Sequence, residues 1–215
     1  MRRLSSLLFV LWLSVPHAGI ALAGPDEDIA YLQTRWAEVN YQLEGKARLA
    51  AFEQLAAEAD RVTGAHPERA EGWIWSGIVK STYAGASGGL GALSLAKASK
   101  KDLERALAID PQALQGSACT SLGTLYYSVP GWPVGFGDRH KAEDLLQRAL
   151  AIDPQGIDSN YFYGDFLLRQ KRFDDARRHL LLAQRAPARA GREVADAGRQ
   201  REIAAALARI EKESR

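Results

Sequence analysis

An eight-residue segment that occurs twice constrains the possible fold of this chain more than any other feature. Arg-Ala-Leu-Ala-Ile-Asp-Pro-Gln occupies 105–112 and again 148–155, 43 residues further on. Two more prolines, Pro67 and Pro187, flank these copies at comparable intervals. A proline ends a helix because it lacks an amide hydrogen and restricts the residue before it. Recurrence at such a period indicates an array of similar structural units.

The residues between these prolines favour helices. Ala, Leu, Glu, Gln, Lys and Arg dominate, and no long alternation of β-branched residues indicates a strand. Small residues recur where paired helices would cross. A mid-helix glycine costs about 1 kcal/mol relative to alanine, so it is tolerated where another helix must come close. The candidate crossing positions are Gly77, Ala106, Gly123, Ala142, Ala149, Gly164, Ala176 and Ala183.

Two segments resemble a tetratricopeptide (TPR) repeat, and a third resembles it more weakly. The residues that carry the resemblance are Asn160 to Leu167 with Phe173, Ala176, Leu180 and Ala183; Leu122 to Tyr126 with Ala142, Leu146, Ala149 and Pro154; and Trp73 to Gly77 with Ser99, Leu103, Ala106 and Pro111. In the third segment, Ser76 and Lys80 replace the larger apolar residues typical of the family. The resemblance implies an all-α, right-handed solenoid of antiparallel helix pairs.

The resemblance also implies an order of domains along the chain. We expect a degenerate helical pair over 24–67, three repeats over 68–187 and a C-terminal capping helix within 188–215. The arginines of this last segment are expected on the solvated outer face, because a solenoid needs a polar cap.

Two of the repeats are longer than the usual 34 residues. The extra residues fall at 84–91, which is rich in glycine, and at 128–137, so enlarged loops between paired helices are expected there. Insertions at equivalent points emerge on one edge of a solenoid, so the two loops should be neighbours. The second loop contains Trp132 and Phe136. These rings either fold back into the groove or form an exposed anchor for a partner, since aromatic residues dominate interface energies.

The inner face of such a solenoid is the other candidate binding surface. The resemblance places Ile74, Ile78, Tyr127, Tyr161, Asp165 and Arg169 there, beside Thr120, Thr124 and Leu168. The TPR class that clamps a chaperone's C-terminal carboxylates uses Lys, Asn and Arg at these places. Ile74 and Ile78 replace its Lys and Asn, and Asp158 and Phe162 replace basic residues, so that function is not expected. The groove suits a hydrophobic segment, a helix or an apolar small molecule, unless the chain's own N-terminal helices fill part of it.

The first 23 residues have the parts of a secretory signal. A basic start at Arg2 and Arg3 precedes an apolar run over 7–15 and the small residues Ala21 and Ala23. The apolar run is shorter than the roughly 20 residues that span a membrane, although retention as an anchor is an alternative. A cleaved signal peptide at 1–23 predicts a periplasmic or secreted protein. In an oxidising compartment the single Cys119 can form no internal disulfide, so packing must stabilise the fold.

Enzyme, metal-binding and nucleic-acid-binding classes have little support. The histidines after residue 23 are widely spaced, no paired-cysteine spacing exists, and the glycine-rich 84–91 segment lacks the Lys-Ser/Thr ending of a phosphate loop. We therefore expect no catalytic residue, no metal and no cofactor. Acidic residues are interspersed among the basic ones, which argues against a nucleic-acid partner.

Two functions remain. The first is a non-enzymatic exported adaptor that binds a protein or peptide partner. The second follows from a short resemblance to the T component of TRAP-type transporters, a helical periplasmic family. It is carried by Leu125, Tyr126, Tyr127, Pro130, Gly137, Asp138, Lys141 and Ala142. This resemblance implies a ligand-handling accessory subunit of an uptake system, although the family's lipid-anchor cysteine is missing here.

Overall fold

The computed structural model describes residues 24–214, which form nine α-helices. Their bounds are α1 Pro25–Gln42, α2 Gly45–Ala65, α3 Ala70–Ser87, α4 Gly89–Ile109, α5 Ala113–Ser128, α6 Arg139–Ile152, α7 Ile157–Arg169, α8 Phe173–Gln184 and α9 Glu193–Glu213. Within this range the only β pairing is an isolated bridge between Gly131 and Gly137. The predicted all-α solenoid of antiparallel helix pairs is confirmed. The proposed signal peptide lies outside the described residues.

The prolines of the repeat pattern end helices, as predicted. Helices α2, α4 and α6 each stop two residues before one of them, namely Pro67, Pro111 and Pro154. Among the described helices, none is long and apolar enough to cross a membrane.

The odd-numbered helices form a closed ring. Helix α1 contacts α3, α3 contacts α5, α5 contacts α7 and α7 contacts α9, and α9 returns to contact α1. The even-numbered helices pack outside this ring, each against the odd-numbered helices before and after it in the chain. At the closing contact, the Tyr41 hydroxyl of α1 donates to the Glu202 carboxylate of α9 at 3.4 Å. The first and last parts of the described chain therefore meet across the solenoid.

Glycines allow the paired helices to come close, as the sequence pattern predicted. A Cβ on Gly77 would lie 2.5 Å from the Leu103 side chain, and one on Gly164 would lie 2.9 Å from the Leu180 side chain. Both leucines are fully buried. Each glycine thus provides the space that a leucine of the following helix occupies.

The prediction of an enlarged loop at 84–91 is wrong. Helix α3 continues to Ser87 and α4 begins at Gly89, so Gly88 alone separates them, with φ 60° and ψ −168°. The extra residues lengthen both helices instead of forming a loop. Packing outweighs the low helix propensity of the glycines, because Ala84 is buried and Tyr83 stacks on Phe52 at 6.1 Å between ring centroids.

The two unusual polar residues of the first repeat form a buried ion-pair network. The Lys80 ammonium lies 2.5 Å from the Asp102 carboxylate and 2.6 Å from that of Asp60. The Ser76 hydroxyl donates to the same Asp102 oxygen at 2.8 Å. Ser76, Lys80 and Asp102 are all buried, so this network joins α3 to α4 at positions where the repeat resemblance implies apolar side chains.

Candidate functional site

A cavity of about 620 Å³ lies between the inner faces of the ring helices. Its walls come from α1, α3, α5 and α7, and from 189–199 at the start of α9. The apolar part of the lining consists of Trp36, Trp75, Ile78, Leu114, Leu125 and Phe162. This volume is within the range of about 300–1,000 Å³ found for small-molecule sites.

Most of the hydroxyl groups of the lining donate hydrogen bonds to backbone carbonyls of the helices that carry them. Ser81 and Thr82 both donate to the carbonyl of Ile78, and Ser117 donates to that of Leu114. Thr82 also accepts a hydrogen bond from the Trp36 indole at 3.1 Å. Their donor capacity is therefore used, and what they offer a ligand is acceptor oxygens.

A left-handed turn at the beginning of α5 forms part of the cavity wall. Leu114, Gln115 and Gly116 have φ values of 47°, 57° and 75°. Glycine is needed at position 116 for two reasons. Its φ is positive, and a Cβ at this position would lie 2.9 Å from the Ile152 side chain. Residues other than glycine seldom adopt this conformation, and strained backbone of this kind concentrates at binding sites.

Three arginines of the C-terminal segment point inward, so the expectation that they are solvated is wrong for Arg189, Arg192 and Arg199. The Asp158 carboxylate accepts from Arg189 at 2.7 Å and from Arg199 at 2.8 Å. Asp158 stands on α7, 31 and 41 residues away from these arginines, so only the folded chain brings them together.

The local charges are largely matched around Asp158. Arg189 also pairs with Asp196 at 2.5 Å, and Arg199 also pairs with Glu202. Burial acts against the charged form of Asp158, but Arg199 and then Arg189 outweigh it and lower the pKa of this carboxyl to about 2. Asp158 is therefore ionised at neutral pH and is held by two cations.

Arg192 differs from its two neighbours. Its side chain makes no ion pair within residues 24–214, and its buried Nε has no hydrogen-bond partner there. The guanidinium lies over the Trp75 ring, 5.2 Å from the centroid. The Trp75 Nε1, also buried, has no partner in the same range either. Among the described residues, these two donors beside the cavity therefore have no acceptor.

The predicted inner-face residues separate into four environments. Ile78 lines the cavity, but Ile74 is fully buried in the core and cannot contact a partner, so that expectation is wrong. Its position on α3 faces the neighbouring helices instead of the ring centre. Tyr161 is half-buried beneath Arg199, whose guanidinium carbon lies 4.3 Å from its ring centroid.

The other three candidates form a cluster that joins α5 to α7. Asp165 accepts from the Tyr127 hydroxyl and from Arg169 Nε, both at 2.9 Å. The Arg169 guanidinium lies 5.1 Å from the Tyr127 ring centroid. Burial, and then the charge of Asp165, raise the pKa of Tyr127 well above its ordinary value. The structure brings these residues together as a bridge whose polar groups satisfy one another.

The two aromatic residues of the 128–137 loop differ in their exposure to solvent. Trp132 is 89% exposed, whereas Phe136 packs edge-on against Tyr126 at 5.7 Å and lies below the Lys100 ammonium. Phe136 therefore folds back and supports the loop, which is the first of the two arrangements considered for these rings, and it is not an exposed anchor. Trp132 adopts the second, exposed arrangement. Val134, 65% exposed, accompanies Trp132 on the surface instead.

The loop is held by hydrogen bonds and by its neighbours. Gly137 N donates to the Pro130 carbonyl at 2.9 Å, and Asp138 N donates to that of Tyr126 at 2.9 Å. Asp138 caps α6, because its side chain accepts from the backbone of His140 and Lys141. The loop also contacts the start of α4, since a Cβ on Gly135 would lie 3.5 Å from Leu93.

The potential metal ligands and the cysteine of residues 24–214 can be assessed from their positions. Over 24–214 no three His, Cys, Asp or Glu side chains gather in an arrangement that could hold a metal ion. Cys119 is fully buried in the core, and burial raises the pKa of its thiol, which disfavours the reactive thiolate.

Comparison with known proteins agrees with this architecture. Residues 134–210 match the tetratricopeptide repeat family. Among solved structures, the chain is similar to a thermophilic TPR protein of Thermus thermophilus, with 15% sequence identity and a TM-score of 0.56. The match covers 86% of this chain and 100% of that one, and at this identity it establishes the fold. A search of curated proteins found no match.

Proposed function

From the tetratricopeptide repeats that this chain contains, we propose that it is an exported, non-enzymatic adaptor that binds a protein or peptide partner. Helical repeats of this kind form extended surfaces that serve as scaffolds for protein interaction. The proposal extends that general role to a particular surface, the exposed part of the 128–137 loop.

The observation that carries the proposal is the exposure of Trp132 on a braced loop. A tryptophan that is 89% exposed, next to Val134 at 65%, leaves a large apolar area in water. Tryptophan is enriched among the residues that contribute most to protein interfaces. Because backbone hydrogen bonds already fix the loop, little conformational entropy is lost when a partner covers it.

A pull-down from periplasmic extract of the native host tests this proposal. The Trp132→Ala/Val134→Ala double variant should recover at least tenfold less of a specifically bound protein than the unaltered chain. The matched control is Tyr31→Ala/Leu182→Ala, which removes two other exposed apolar side chains, 45% and 43% exposed, from distant helices. Equal recovery with both variants would exclude the loop as the anchor, and circular dichroism would check that each variant is folded.

Export is proposed from the features of residues 1–23. We expect the mature protein to begin at Gly24, immediately before α1. Mass spectrometry of the protein from fractionated host cells measures this directly. An intact Met1 in the cytoplasmic fraction would contradict export.

The cavity favours a second candidate function, ligand handling as an accessory subunit of a periplasmic uptake system. A cavity of about 620 Å³ lined by a ring of helices suits a small molecule better than a folded partner. This candidate uses the centre of the ring, whereas the adaptor uses the outer loop. Variants of the two regions therefore test the two functions separately.

A further inference from the structure

The charge balance of the cavity wall indicates the kind of ligand that fits. Among the described residues that line it, Asp158 is the one acidic group, and it stands opposite three arginines. Arg189 and Arg199 already share Asp158 and have further partners in Asp196 and Glu202. The remaining positive charge of this lining belongs to Arg192.

Without a ligand, the position of Arg192 reduces the stability of the fold. The residue is half-buried, and a buried guanidinium nitrogen without an acceptor forfeits the hydrogen bonds it makes with water. Burial, and then the charge of Arg189, lower the pKa of this arginine, while the charges of Asp158 and Asp196 act in the opposite direction. An anion bound at the accessible part of the Arg192 guanidinium would give this arginine the ion-pair partner that it lacks among residues 24–214.

Aromatic rings continue from Arg192 into the cavity. The guanidinium lies 5.2 Å from the Trp75 ring centroid, and the Trp75 and Trp36 centroids are 5.8 Å apart. Phe162 and Ile78 belong to the same lining. A ligand whose anionic group pairs with Arg192 would therefore lay its body along an apolar, partly aromatic wall.

We propose that this cavity binds a carboxylate carried by an apolar, ring-containing body, with Arg192 as the ion-pair partner of the carboxylate. The planar guanidinium matches a carboxylate with two parallel hydrogen bonds. The proposal rests on the second candidate function, ligand handling, and is independent of the adaptor loop. Such a carboxylate has two sources, a free organic acid or the C-terminus of a peptide that ends in an aromatic residue.

Calorimetric titration with paired probes tests the carboxylate. The first pair is 2-naphthoate and 2-naphthamide, which have the same shape but differ in charge. The second pair is acetyl-Leu-Leu-Phe with a free carboxylate and the same peptide as its amide. In at least one pair, the acid should bind the unaltered protein at least tenfold more tightly than the amide. The pair that shows the difference identifies the source.

Two variants then assign the contact. Arg192→Gln should lower the affinity for the acid to that for the amide and leave amide binding unchanged. The matched control is Arg201→Gln, which removes one charge from an exposed position of α9 and should leave both affinities within twofold. Ser121→Trp, which fills the cavity from α5, should abolish binding of both members of the pair.

The outcomes separate the carboxylate from ligand handling in general. If acid and amide bind equally, and Ser121→Trp abolishes both, the cavity holds ligands but the carboxylate proposal is wrong. If Arg192→Gln leaves acid binding within twofold, Arg192 is not its partner and the proposal is overturned. If no probe binds, or Ser121→Trp changes nothing, both the proposal and the ligand-handling function are contradicted.

Discussion

Gly123 of α5 lies directly beneath Leu146 of α6, so close that a Cβ on the glycine would be 2.9 Å from the leucine Cγ. The same Cβ would be 3.2 Å from the backbone oxygen of Ala142. A side chain can turn away from such a contact, but a backbone oxygen in the neighbouring helix cannot. The distance between these two helices is therefore set by the absence of a single methyl group.

We expect Gly123→Ala to destabilise the protein by about 1–3 kcal/mol, the usual cost of overpacking a core. The control is Gly64→Ala in α2, where nothing lies within 4 Å of a new Cβ. That substitution should be neutral or stabilise by up to about 1 kcal/mol, because alanine favours the helix. Urea denaturation measures both. Equal effects at the two positions would contradict the close approach.

The buried Lys80 gives a second prediction. Lys80→Met leaves Asp102, only 5% exposed, without its cation, and should cost about 3–5 kcal/mol. Lys100→Met is the control, since its pair with Glu104 is partly exposed and is worth about 0.3–0.5 kcal/mol. The double variant Lys80→Met/Asp102→Leu should recover most of the loss. A double variant no more stable than Lys80→Met would show that charge burial is not the cause.

The left-handed turn of α5 predicts a stabilising substitution. Gln115 is exposed and has φ 57°, a conformation that costs a residue with a Cβ about 1–2 kcal/mol. Gln115→Gly removes this cost and loses about 0.5–1 kcal/mol to the greater freedom of the unfolded chain, so a small net gain is expected. Gln155→Gly, at an exposed position with negative φ, should only destabilise. Thermal unfolding compares them, and a lower Tm for Gln115→Gly would contradict the turn.

Asp158 predicts how the fold responds to acid. Its pKa is about 2 in the fold and near 3.8 in an unfolded chain. A lowered pKa contributes stability above the unfolded value, and that stability is lost as the pH falls from about 4 towards 2. Asp158→Asn should lower the free energy of unfolding at neutral pH and make its decline across this range shallower.

The control for Asp158 is Asp174→Asn, an exposed carboxylate at the start of α8. Urea titrations at a series of pH values compare both variants with the unaltered chain. If the unaltered protein and Asp158→Asn lose stability equally steeply below pH 4, the result would contradict a lowered pKa of Asp158 caused by Arg189 and Arg199.

The fold could be predicted because its signals are local. The prolines that end helices act on the residues beside them, and Gly77, Gly123 and Gly164 recur at equivalent places in successive repeats. The helical conformation of the 84–91 segment could not be predicted, for the opposite reason. Its glycines are unfavourable for a helix when considered alone, but burial of Ala84 and stacking of Tyr83 depend on residues far away in the sequence.

The candidate cavity was only partly predictable. Ile78 could be assigned to it from the repeat pattern, but Arg189, Arg192 and Arg199 resemble the solvated charges of any terminal helix. Their inward position depends on Asp158 and on contacts between α9 and α7. No spacing within the last 28 residues contains that information. In the sequence, Asp158 is only a departure from a basic position, and an acid at the inner face is the one available sign of a cationic partner.

The return of α9 to α1 fixes the number of units that this molecule can have. An open array tolerates the gain or loss of a terminal repeat, since each unit depends only on its neighbours. Here an inserted helix pair would separate Tyr41 from Glu202, and a deleted pair would bring the opposite walls together. The number of repeats thus sets the diameter of the central space. Evolution can therefore change the ligand of this space by substitution more readily than by duplication of a repeat.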